Sequence, residues 1–249
     1  MKFTVLTIFP EMLDAFVSHG IIRRAVESGT IAIEPVNIRD FAGGRHQATD
    51  DRPYGGGSGM VMKPEPLAGA IDAAKQDQPG AVTVLLSPQG RRLNQQTAKS
   101  LARCKGLIFV CGRYEGVDER LCEDYIDEEI SIGDYVLTGG ELAAMVVIDA
   151  VTRQVPGALG NADSAAGDSF SDTLLEHAHY TRPPVFDGKA IPEVLRSGNH
   201  AAIEDWRLES ALIRTFLKRP DLLEQKELSD REKQILQKWC RYLETLITA

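Results

Sequence analysis

Leu107-Ile108-Phe109-Val110-Cys111 is a short, unbroken apolar run that stops at the polar turn Gly112-Arg113-Tyr114-Glu115-Gly116-Val117-Asp118-Glu119-Arg120. An apolar run of that length, bounded by turn residues, predicts a strand buried on both faces. Similar β-rich runs occur at Lys2–Phe9, Thr30–Ile38 and Ala81–Leu86. Helical periodicity fills the intervals at Pro10–Ser28, Pro64–Asp77 and Asn94–Arg103. Strands alternating with helices predict an α/β domain around a mostly parallel sheet. Glu141–Val151 reads as a helix that is apolar nearly all round, so core or a partner subunit must cover more than one side.

The character changes after Pro156. The stretch to Asp172 is rich in small and polar residues and lacks periodicity, as expected of a linker. Asn199–Lys218 and Ser229–Ile247 then read as amphipathic helices. The second opens with a capping box, Ser229 and Glu232, which satisfies orphan N–H groups at a helix start. The expected organisation is an α/β domain over residues 1–160, a flexible linker over 161–172 and a smaller helical C-terminal domain over 173–249.

Hydrophobic residues make up 43% and charged residues 26% of the 249, which is enough apolar material for a sizeable core. No apolar run approaches the roughly 18 residues of a membrane span, and Met1–Phe9 reads as a first strand rather than a secretory signal. The expectation is a cytoplasmic protein with no membrane partner. Cys104, Cys111, Cys122 and Cys240 form no CxxC pair and have no histidine at ligand spacing, so neither a disulfide framework nor a zinc site is expected, and no metal ligands are assigned. The net charge of −8 argues by itself against a nucleic-acid partner. Local patches matter more to a phosphate backbone than the total. Arg39, Arg45, His46 and Arg52 form one such patch, and Arg207, Arg214, Lys218 and Arg219 another.

Five glycine-bearing loops stand out: Asp50–Met60, Leu86–Gly90, Gly112–Arg120, Ile132–Tyr135 and Val136–Glu141. None has GxGxxG or P-loop spacing. Taken singly, each reads as a tight turn. Loops leaving the C-terminal ends of strands in an α/β sheet are where ligands bind, so several of them converging would make a site.

In combination they are more specific. Gly112–Arg120 followed by Ile132–Glu141, together with Asp50–Gly57, Leu86–Gly90, Asp168-Ser169-Phe170, His179-Tyr180-Thr181-Arg182-Pro183 and Ser197-Gly198-Asn199-His200, closely resembles the tRNA (guanine-N1)-methyltransferase family, the TrmD family of the SPOUT superfamily. The resemblance runs from Phe9 to Arg207. It implies a SPOUT-type α/β domain with a deep trefoil knot, which periodicity does not reveal. It also implies methylation of guanine N1 at tRNA position 37, beside the anticodon, with S-adenosyl-L-methionine as cofactor.

Carried over residue by residue, the cofactor contacts fall on Leu86, Ser87, Pro88, Gly90, Gly112, Tyr114, Glu115, Ile132, Gly133, Tyr135, Leu137 and Gly140. Asp168 becomes the general base and Arg153 the cation beside guanine O6. Contacts to the anticodon arm of tRNA fall on Arg52, Tyr54, Gly57, Ser58, Gly59, His179, Arg182, His200 and Arg207, although His200 reads equally well as a packed or surface histidine. The family pattern adds a homodimer and magnesium (Mg2+) as a supporting ion, with no ligand cluster identifying its site. One departure is Ala143, where the family commonly has proline; alanine keeps the helix. Two other readings are a SPOUT methyltransferase acting on another RNA and a non-catalytic protein that binds the anticodon arm.

Overall fold

The computed structural model describes residues 1–160 and 168–248, in two compact units, Met1–Ala162 and Asp163–Ala249. The first contains, in chain order, β1 (Lys2–Thr7), α1 (Asp14–Val17), α2 (Gly20–Glu27), β2 (Ala32–Asn37), β3 (Asp50–Asp51), β4 (Val61–Met62), α3 (Pro64–Asp77) and β5 (Val82–Arg92). It continues with α4 (Gln95–Leu101), β6 (Gly106–Cys111), α5 (Glu119–Asp124), β7 (Glu128–Ser131) and α6 (Glu141–Thr152). Five strands form one sheet in the order β2-β1-β6-β5-β7, with every pairing parallel.

The two-residue strand period divides the core in two. Phe3, Val5, Val84, Leu86, Leu107, Phe109 and Cys111 face the layer of α2, α4 and α6. Leu6, Leu85, Ile108 and Val110 face the opposite layer, built by α3 and α5. A parallel sheet covered on both faces explains why β6 reads as unbroken apolar sequence. Pro35 is tolerated because β2 is an edge strand and needs no N–H at that position.

The structure differs from the sequence reading in several places. The helix expected over Pro10–Ser28 is broken into a 3-10 turn (Pro10–Leu13), α1 and α2, with Gly20 at φ +64° where α2 begins. β7 and α5 were not anticipated. β7 carries Glu128 and Glu129 because it is the other sheet edge, where charge deters further pairing. β5 runs on beyond Leu86 to Arg92: Leu86 and Arg91 both align with Ile130, so Ser87–Gly90 bulge out of a continuing strand rather than following its end. α6 buries Ala143, Ala144, Val147, Ile148 and Val151 but leaves Leu142 and Val146 about half exposed, at 50% and 46%.

The second unit has a hairpin, β8 (Val185–Phe186) and β9 (Lys189–Ala190), turned by Asp187-Gly188 with φ of 50° and 73°, as a two-residue primed turn requires. Three helices follow: α7 (His200–Lys218), α8 (Pro220–Glu224) and α9 (Asp230–Thr248). Residues 161–167 of the expected linker lie outside the described residues. Its end, Asp168–Asp172, is hydrogen-bonded into the second unit. Phe170 N donates to Leu174 O at 2.8 Å, and Lys226 Nζ reaches Asp172 Oδ2 at 2.9 Å.

The capping box is formed at α9. Ser229 N donates to Glu232 Oε2 at 2.7 Å and Glu232 N to Ser229 Oγ at 3.3 Å. Ser229→Ala should lower stability by about 1 kcal/mol, read as a lower denaturant midpoint; an unchanged midpoint would show that the box contributes nothing.

Candidate functional site

The bulge of β5 and the C-terminal ends of β6 and β7, three adjacent strands, open into one cleft of about 320 Å³. Its walls include Leu86, Ser87 and Pro88 from the bulge of β5, Gly112, Tyr114 and Glu115 after β6, and Ile132, Gly133, Tyr135, Leu137 and Gly140 after β7. These predicted cofactor residues therefore come together. Gly90 does not line the cleft. A Cβ there would overlap the backbone of Glu129 and Ile130, so Gly90 lets the bulge return against β7.

Gly139-Gly140-Glu141 is organised by a buried ion pair that the sequence reading missed. Glu141, the first residue of α6, has a side chain only 1% exposed, and Arg113 Nη2 meets its Oε2 at 2.9 Å. Arg113 Nε donates to both carboxylate oxygens at 3.1 and 3.0 Å, and Thr7 Oγ1 donates to Oε1 at 2.7 Å. The guanidinium also donates to Thr138 O at 3.2 Å and lies 4.6 Å from the Phe9 ring centroid, a cation–π contact. The turns after β1, β6 and β7 are thus tied together at one point. Side chains on the two glycines would break it: a Cβ on Gly139 would overlap Arg113, and one on Gly140 would stand 2.7 Å from Cys111 Cα.

Tyr114 sits in the cleft with φ +61°, a left-handed conformation that costs a tyrosine on the order of 1 kcal/mol or more. The neighbouring backbone holds it, since Glu115 N donates to Met60 O at 3.0 Å and Met62 N to Gly116 O at 2.9 Å. These bonds also anchor the exit of the glycine-rich loop. Gly55, Gly56, Gly57 and Gly59 have φ between +79° and +118°, which only glycine adopts readily. Arg52, Tyr54, Gly57, Ser58 and Gly59 are exposed, and Gly59 packs against Glu115, so the loop abuts the cleft wall.

Cys122 also lines the cleft, and burial first, then Glu119 and neighbouring carboxylates, push its thiol up to about 11. Burial likewise holds Cys111 well above the ordinary thiol range. Cys240 is exposed, while Cys104 is partly buried.

Arg153 is half-buried and caps the C-terminus of α6. Asp168, in the second unit, is half-buried in a turn where its carbonyl accepts from Ser171 N at 3.1 Å. In that unit His179, Arg182, His200 and Arg207 are all exposed. His179 pairs with Glu176 at 2.9 Å, Arg207 with Glu204 at 2.6 Å, and His200 begins α7. No helix among the described residues is long and apolar enough to cross a membrane.

The family model described as tRNA (Guanine-1)-methyltransferase TrmD matches residues 1–225. A tRNA (guanine-N(1)-)-methyltransferase of Desulfatibacillum aliphaticivorans is 59% identical over 99% of this chain and 94% of its own length. One from Halorhodospira halophila is 56% identical over 94% of this chain and 89% of its own. One from Anoxybacillus flavithermus is 52% identical over 96% and 98%.

Arg113→Met should cost about 3–5 kcal/mol of stability, because it strands the Glu141 carboxylate in the core; a loss below about 1 kcal/mol, measured by denaturant unfolding, would deny the pair this role. With its pKa raised, Cys122 should gain thiolate about tenfold per pH unit between pH 8 and 10, whereas an ordinary thiol of pKa about 8.5 levels off above pH 9. The rate of Cys122 alkylation, followed by peptide mapping, reads this directly, and a plateau above pH 9 would contradict it.

Proposed function

The chain belongs to the tRNA (guanine-1)-methyltransferase family, and on that premise we propose that it methylates N1 of guanine 37 in tRNA, beside the anticodon, using S-adenosylmethionine. The observation that carries this reading is one cleft walled by three glycine-bearing segments, the bulge of β5 and the turns after β6 and β7.

The residues present fit that cofactor. The cleft volume falls at the lower end of the range for small-molecule sites. Leu86, Ile132 and Leu137 offer apolar surface to an adenine ring, and the turns at Gly112, Gly133 and Gly140 bring backbone groups close to a ligand. The Glu115 carboxylate supplies the negative charge that a sulfonium favours. When bound, the cofactor supplies an electrophilic methyl group.

Guanine N1 carries a proton and is a poor nucleophile until that proton leaves. In this proposal Asp168 accepts it and Arg153 offsets negative charge that grows on O6. A guanine in the anticodon loop is readily unstacked, so its edge can reach a protein site. The exposed Arg52, Tyr54, Gly57, Ser58 and Gly59 on the glycine-rich loop, and His179, Arg182, His200 and Arg207 on the second unit, are assigned to the anticodon arm.

The proposal includes a homodimer in which the cleft of one protomer and Asp168 of the partner subunit serve the same guanine. The half-exposed Leu142 and Val146 on α6 support a self-complementary contact. It also includes the knotted SPOUT topology of the first unit, a cytoplasmic location for the enzyme, and magnesium as an ion that accompanies the RNA, with no residue of this chain assigned to it.

Purified tRNA and labelled cofactor, followed by nucleoside analysis, should yield 1-methylguanosine at position 37. Asp168→Asn should reduce that yield by orders of magnitude, while cofactor protection of Cys122 from alkylation stays within a fewfold of wild type. Retained transfer would remove Asp168 from the role of base, and lost protection would show that the substitution disturbs the cleft instead.

A further inference from the structure

The second unit carries a histidine pair of which the proposed function uses one member, His179, for RNA contact, and leaves His177 without a role. Glu176, His177 and His179 each present a ligand atom, and these atoms lie within 4.8 Å of one another. The imidazole centroids of His177 and His179 are 4.5 Å apart, and His179 Nε2 is 2.9 Å from Glu176 Oε1. We propose that these three side chains form a binding site for a divalent transition-metal ion of the zinc, nickel or copper type.

Three features favour a metal over a chance cluster of polar groups. The first is a rigid frame. Leu175 N donates to Thr215 Oγ1 at 2.9 Å, Arg214 Nε to Glu176 O at 3.1 Å and Ala178 N to Ser210 Oγ at 3.0 Å. The strand-like segment is therefore laced along α7, and the ligands project from a fixed backbone. The second is tautomer control: His177 Nδ1 lies 3.0 Å from Ala178 O. Donating there leaves the Nε2 lone pair for a metal, the usual outer-shell arrangement of a ligating histidine.

The third is donor chemistry. Two imidazole nitrogens and one carboxylate oxygen suit zinc, copper or nickel, whereas magnesium prefers all-oxygen sites. Ligand atoms around a four-coordinate ion at about 2.0–2.1 Å stand roughly 3.4 Å apart. Separations of up to 4.8 Å must close by at most about 1.4 Å to reach that spacing, a movement within reach of side-chain rotation. Three protein ligands leave a fourth position for solvent. Glu176-His177-Ala178-His179 lies more than fifty residues from any cysteine, so histidine spacing beside the cysteines gives no signal for it.

Trp206 provides a local reporter, with its ring 6.1 Å from that of His177. The tag-free chain, stripped with a chelator, is titrated with Ni2+ at pH 7.5. Quenching should saturate at one ion per chain, disappear in Trp206→Phe and be reversed by excess Zn2+. His177→Asn and His179→Asn should each weaken the apparent Kd at least tenfold. Cu2+ bound to the wild-type chain should show coupling to two imidazole nitrogens by electron paramagnetic resonance, a readout that needs no variant to fold. Absence of quenching, equal affinity in both folded asparagine variants, or a copper spectrum without imidazole coupling would each overturn the site. None of these measurements depends on methyl transfer, so they stand or fall apart from the proposed reaction.

Discussion

The buried pair between Arg113 and Glu141 is the constraint on which the cleft depends. An isolated carboxylate inside a core costs several kcal/mol, so Glu141 is tolerable there only because a cation and a hydroxyl meet it. Placing it at the first position of α6 adds the favourable end of the helix dipole. The same guanidinium holds Thr138 O and the Phe9 ring, so one side chain links turns from distant parts of the sequence. Gly139 and Gly140 follow as a consequence: they leave space for Arg113 and for the end of β6.

Two kinds of glycine build this part of the molecule. Gly55, Gly56, Gly57 and Gly59 are needed for their backbone conformation, since each has a strongly positive φ. Gly90, Gly139 and Gly140 are needed because neighbouring atoms fill the place of a side chain. The first kind makes an exposed loop able to follow a ligand; the second lets strand ends and helix starts approach until their turns enclose a small volume. Tyr114 shows the opposite economy, with a bulky residue kept in a strained conformation by hydrogen bonds from both flanks of its turn.

The second unit works by a different plan. Its backbone strap over residues 175–178 is held by side chains of α7, and Lys226 bridges the Asp172 turn to the buried Glu232 at the start of α9. Exposed basic and aromatic groups then sit on a frame fixed by polar contacts rather than by a large apolar core.

Much of the fold was legible along the chain. The apolar runs of β1, β5 and β6, the full extent of α3, the capping box of α9 and the glycine turns are local patterns, set by side-chain periodicity and backbone freedom. β7 and α5 were not legible because an edge strand and a short surface helix carry charge, as loops do. What only tertiary structure decided is which distant groups meet. The pairing of Arg113 with Glu141, the return of Gly90 onto β7, and the lacing of Leu175, Glu176 and Ala178 onto α7 all arise when chain segments pack. Periodicity records which face of an element is buried; it carries no record of the partner that buries it.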